Sequence, residues 1–210
     1  MHRIRKFLGL TVLAVMATAS PAIAQVCAGF PMATGSTSLV GGLSFPDNAN
    51  GFAIGVQHKA NEAVVVGVAY ELTTFDEILG VELPSMHNFA ANAAYEIPLA
   101  ATNTGADLAV CPDVGFGFGR WDEANILTVP LGVSFGAAFR AAQGSTIVAP
   151  FISPYFVWQR VSADGESESE DDLGFTLGSN LLISNFLVGF GYTKIGDADG
   201  TFGIRFGMIF

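Results

Sequence analysis

The C-terminal stretch Thr201-Phe202-Gly203-Ile204-Arg205-Phe206-Gly207-Met208-Ile209-Phe210 puts Phe, Ile, Phe, Met and Phe at even positions and Thr, Gly, Arg, Gly and Ile at odd ones. Successive side chains of an extended chain point to opposite sides, so the stretch reads as a strand with one apolar face and one small or polar face. The segment before it repeats the pattern, with Phe186, Val188, Phe190 and Tyr192 opposite Leu187, Gly189, Gly191 and Thr193. Further toward the N-terminus, Val64, Val66, Val68 and Tyr70 oppose Val65, Gly67, Ala69 and Glu71, and Phe116 and Phe118 oppose Gly115, Gly117 and Gly119.

In a soluble sandwich the second face meets water and carries many Lys, Glu, Thr and Ser residues. Here that face is mostly Gly, Ala and Asn, and only 13 % of the 210 residues are charged. Such a face suits a confined interior, while the Phe and Val face suits lipid, which is the inside-out arrangement of a transmembrane β-barrel. A sandwich would expose the Phe and Val faces to water. The expected fold class is all-β, a closed antiparallel up-and-down transmembrane β-barrel. Ten strands fit the pattern: 37–45, 50–58, 63–74, 86–97, 107–119, 125–140, 147–161, 173–183, 186–196 and 201–210. An eight-strand count requires merging two hairpins. Pro150 and Pro154 blur the seventh strand, because each removes a ladder donor.

Residues 1–24 lie outside this pattern. Arg3, Arg5 and Lys6 precede an apolar run from Phe7 to Ala17, and Ala22-Ile23-Ala24 follows, the layout of a cleavable signal peptide. The run is shorter than the roughly 20 residues a membrane-spanning helix needs. Beyond residue 24, six basic residues stand against all nineteen acids, which argues against binding nucleic acid. The expected organisation is a signal peptide at 1–24, an N-terminal periplasmic or plug segment at 25–36, and the barrel at 37–210. If the C-terminus is periplasmic, the connections on the opposite side hold fourteen of the nineteen acids and the periplasmic ones only Glu62. The acidic loops are then expected outside the cell.

The signal peptide, the alternating strands and the final strand ending in Phe210 together resemble the small outer-membrane β-barrel proteins of Gram-negative bacteria. The resemblance covers the whole mature chain. It implies residence in the bacterial outer membrane as a monomer, contact with its lipid and lipopolysaccharide, and reading of Phe210 as an assembly signal by the barrel assembly machinery. No cofactor is implied. It specifies the class of protein and leaves the individual activity open.

Several residues bear on that activity. Gln57, Lys59, Asn88, Asn92 and Asn180 fall on the inward face, as do Glu71, Glu96, Asp113, Arg140 and Arg205. Isolated charges are costly in a confined interior, so Arg140 and Arg205 are expected to pair with Asp113, Glu96 or Glu71 in a lumen network. The only two cysteines, Cys27 and Cys111, are expected to form a disulfide in the oxidising periplasm, tethering the N-terminal segment inside or beneath a barrel whose inward glycines leave room. The run Asp164, Glu166, Glu168, Glu170, Asp171 and Asp172 reads as a solvated acidic loop, with divalent-cation binding as its functional reading. Ser85 and His87 with Asp76, Glu77 and Glu82 offer the residue types of a surface hydrolase, but no motif spacing links them. The expected function is non-enzymatic, a structural or surface-interaction role with the lumen largely filled. A narrow porin-like channel is the alternative, and a hydrolase stands third.

Overall fold

The computed structural model describes residues 32–77, 83–101, 106–140 and 146–210. The expected signal peptide, Cys27 and Glu82 lie outside the described residues. Among the described residues eleven strands follow one another: β1 (Thr37–Phe45), β2 (Ala49–Lys59), β3 (Val64–Phe75), β4 (Met86–Tyr95), β5 (Ile97–Ala101), β6 (Ala106–Trp121), β7 (Ala124–Arg140), β8 (Thr146–Ala163), β9 (Glu166–Ile183), β10 (Phe186–Ile195) and β11 (Thr201–Ile209). Neighbours pair antiparallel, and β1 pairs with β11 from Ser38 opposite Ile209 to Phe45 opposite Phe202, which closes the sheet into a barrel.

Strands β4 and β5 both lie along β6, so eleven segments make ten staves. The shared stave breaks at Glu96, between the pairs Ala94–Asp113 and Ile97–Val110. The residues there explain the break: Pro112 on the facing strand has no N–H to donate, and Pro98 opens a bulge.

The pattern in β8 is cleaner than its sequence suggests. Phe151, Ser153, Tyr155, Val157 and Gln159 are all buried, while Ile152, Pro154 and Phe156 face outward. The ladder to β7 skips Ala149–Pro150 and Ser153–Pro154, so the missing proline donors fall where no partner is asked for.

The acidic run is not a loop. Asp164 and Gly165 form a two-residue turn with φ of 54° and 80°, the left-handed conformation that matches strand twist, and Glu166–Asp172 continue β9 opposite Val157–Ala163. This hairpin lies at the end away from Thr37 and Phe210, here called the distal end, and its β8 arm stays paired with β7 as far as Ser162 opposite Asn125. On its other side, among the described residues, no strand pairs with β9 beyond Gly174–Ile195, and only the turn after β10 lies beside it.

Outside, Val68, Phe116, Phe190 and Phe206 are each more than half exposed, in a belt of large apolar side chains that runs around the barrel. Inside, small residues admit large ones. A Cβ at Gly174 would lie 2.7 Å from Cε2 of Tyr155, one at Gly178 2.7 Å from Cζ of Phe151, and one at Gly189 2.9 Å from Cγ of Arg205. Much of the room left by inward glycines is therefore filled by side chains of the barrel wall itself.

Candidate functional site

The lumen is organised in layers. At the end carrying the termini, Val65, Ala94, Cys111, Phe151, Leu182 and Leu187 form a buried apolar cluster, and Met32, five residues before β1, inserts into it. Cys111 is fully buried there and is not a free thiol. At the distal end a second apolar cluster is made by Met86 and Ile126, with Phe75, Trp121 and Val161 against them. The Trp121 indole donates to the Pro84 carbonyl at 2.8 Å, which pins that lid to the chain entering β4. Polar side chains occupy the middle.

Two of the charged residues expected in the lumen network, Glu96 and Arg140, have other partners. Glu96 pairs with Lys59, Nζ to Oε2 at 2.8 Å, because the break in its stave turns Glu96 toward the end of β2. Arg140 is half exposed at the rim and pairs with Asp107 at 3.1 Å, not with an acid of the lumen. It keeps the inward phase of β7 but is that strand's last residue, so it meets solvent instead of the interior. Asp113 accepts from the Ser134 hydroxyl at 3.2 Å, and Ser134 and Ser153 hydrogen-bond each other at 2.6 Å. Glu71 is buried on β3. Arg205 is buried with its guanidinium carbon 5.2 Å from the centre of the Phe151 ring, a cation–π contact that also caps the apolar cluster.

His87 points outward, and its Nδ1 lies 2.7 Å from the Tyr70 hydroxyl, a polar pair at the distal end of the apolar belt. Asp76 and Glu77 follow β3 as exposed residues. His58 meets the Thr37 hydroxyl at 3.0 Å near the termini.

On the β8–β9 hairpin, alternation divides the acids. Glu166, Glu168, Glu170 and Asp172 share the face continuous with the lumen, Asp171 lies on the other, and Asp164 sits in the turn. Among the described residues no group of three or more His, Cys, Asp or Glu side chains is arranged to hold a metal ion. A cleft of about 470 Å³ runs along the β10 side of β9, lined by Glu170, Asp171 and Asp172 and by the turn Ile195–Ala198 after β10. At the opposite end, Phe210 exchanges two backbone hydrogen bonds with Thr37, at 2.8 and 3.2 Å.

No protein-family model matches the sequence, and no characterised protein matches it in sequence. Solved structures do match in shape. The β domain of the Bordetella autotransporter BrkA aligns over 83 % of this chain and 98 % of its own, with a TM-score of 0.54 at 10 % identity. LpxR from Salmonella typhimurium aligns over 77 % of this chain and 73 % of its own, with a TM-score of 0.50 at 9 % identity. The translocator domain of the autotransporter NalP from Neisseria meningitidis aligns over 95 % and 96 %, with a TM-score of 0.47 at 12 % identity. At these identities the likeness is one of fold: the chain has the architecture of an outer-membrane β-barrel.

Proposed function

We propose that the protein is an integral outer-membrane barrel whose role is surface interaction, carried by the β8–β9 hairpin. The observation behind this reading is the β10 side of β9 at Ser167–Asp172, along which, among the described residues, no strand pairs with β9 and beside which a cleft runs. An open edge invites another strand, and natural proteins charge such edges to discourage indiscriminate pairing. The acids thus repel most chains and favour an extended partner with basic side chains, whose main chain would supply the missing ladder.

The apolar clusters at both ends of the lumen weigh against the channel reading. We also propose that Cys27 is the partner of Cys111, an assignment supported by the non-free, buried Cys111 beside Met32.

The test uses vesicles carrying the full barrel and a fluorescent peptide alternating lysine with valine. Retention that weakens with salt and is lost when Glu166, Glu168, Glu170 and Asp172 are changed to lysine, or when the peptide carries prolines, supports the reading. Equal retention by the lysine variant and the unaltered barrel sinks it. Discrete conductance steps in a planar bilayer would favour the channel instead.

A further inference from the structure

Beneath the distal apolar lid lies a layer of a different kind. On four strands the residue two positions toward the termini end from a lid residue is polar: Thr73 below Phe75, Asn88 below Met86, Thr128 below Ile126, and Gln159 below Val161. All four polar side chains are at least 97 % buried. The Thr73 and Thr128 hydroxyls, the Asn88 carbonyl oxygen and the Gln159 amide nitrogen have no hydrogen-bond partner among the described residues.

Cross-strand pairing brings them around one sector of the wall. Gly117 stands opposite Thr128, and Thr128 stands opposite Gln159. A Cβ at Gly117 would lie 3.5 Å from Thr128 Cβ and 3.6 Å from Asn88 Oδ1, so the glycine leaves the space between them open. Four polar groups that all face one interior at this depth would be a heavy burden if dry, since each buried unsatisfied group is destabilising.

We propose that this layer is an enclosed site for a neutral hydroxyl-bearing guest, either water or a small polyol. The chemistry selects the class. The set contains an acceptor, Asn88 Oδ1, a donor, Gln159 Nε2, and two hydroxyls that do either. A cation would leave the Gln159 amide unanswered and an anion the Asn88 carbonyl, whereas a hydroxyl both donates and accepts. The lid of Met86, Ile126 and Trp121 closes the site on the distal side.

The test is nuclear magnetic resonance on the ¹⁵N-labelled barrel refolded in detergent micelles. The side-chain amides of Asn88 and Gln159, assigned from the spectra of Asn88→Leu and Gln159→Leu, are expected to show cross-relaxation with long-lived water. A saturable shift of the same resonances on adding glycerol identifies a polyol as a guest, and no shift assigns the site to water alone. Absence of cross-relaxation at both amides overturns the proposal. A second measurement needs no assignment: Thr128→Val with Gln159→Leu is expected to lower the urea midpoint of unfolding if the groups bind a guest, and a raised midpoint shows a dry layer and overturns it.

Discussion

Lys59 and Glu96 are 37 residues apart in sequence, yet their side chains meet at 2.8 Å and join the end of β2 to the break between β4 and β5. Both are mostly buried, with side-chain exposures of 8 % and 19 %. Removing one partner leaves the other charge poorly compensated. Glu96→Gln is expected to destabilise the barrel by about 2 kcal/mol, less than the roughly 3–5 of a fully buried pair. Lys59→Met with Glu96→Leu is expected to cost less than either single change, read as urea midpoints in lipid vesicles. Additive losses would show that the pair is not coupled.

Arginine in place of a belt residue measures where the hydrocarbon lies. Phe116 is mid-strand and half exposed, whereas Leu173 sits at the base of the acidic hairpin. Phe116→Arg is expected to destabilise by about 2–4 kcal/mol and Leu173→Arg by about 0–1 kcal/mol. Equal losses in vesicle-refolded protein would contradict the assigned membrane level.

Tyr155 occupies the space that a side chain at Gly174 would need. Gly174→Val is expected to destabilise by about 1–3 kcal/mol through overpacking. Combined with Tyr155→Ser, the loss should be smaller than the sum of the two. Heat-modifiable gel migration reports which variants remain folded.

Thiol chemistry tests the Cys27–Cys111 assignment. The unreduced, urea-unfolded protein is expected to take up no maleimide and the reduced protein two, counted by intact mass. Cys111→Ser should lower stability by about 2–4 kcal/mol. Uptake of two equivalents without reductant would refute the pairing.

Alternation made the barrel legible because one face of each strand meets the belt and the other the lumen. The expected 37–45 is β1 to the residue, and the expected 186–196 ends one residue beyond β10. Glu166–Asp172 escaped this reading, since a segment made of acids and serines has no apolar face to show; only its pairing with Val157–Ala163 makes it a strand. The lumen contacts escaped for a related reason. Phase tells that Arg140 and Glu96 point inward, but partners depend on register across strands and on height along the axis, which put Arg140 beside Asp107 and Glu96 beside Lys59. The role of Gly174 and Gly178 as sockets was equally hidden, because Tyr155 and Phe151 lie on another strand.

The junction of Thr37 with Phe210 has a bearing on how the molecule is made. Every other pairing in the sheet joins segments adjacent along the chain, or nearly so, whereas β1–β11 joins its two extremes. Chain entropy opposes so distant an encounter far more than it opposes hairpin closure, so local hairpins can zip first and the sheet remains an open ribbon until its last residues arrive. The β1–β11 ladder, from the Thr37–Phe210 bonds to Phe45 opposite Phe202, is thus the clasp of the ring, and its formation marks the moment at which a row of hairpins becomes a cylinder.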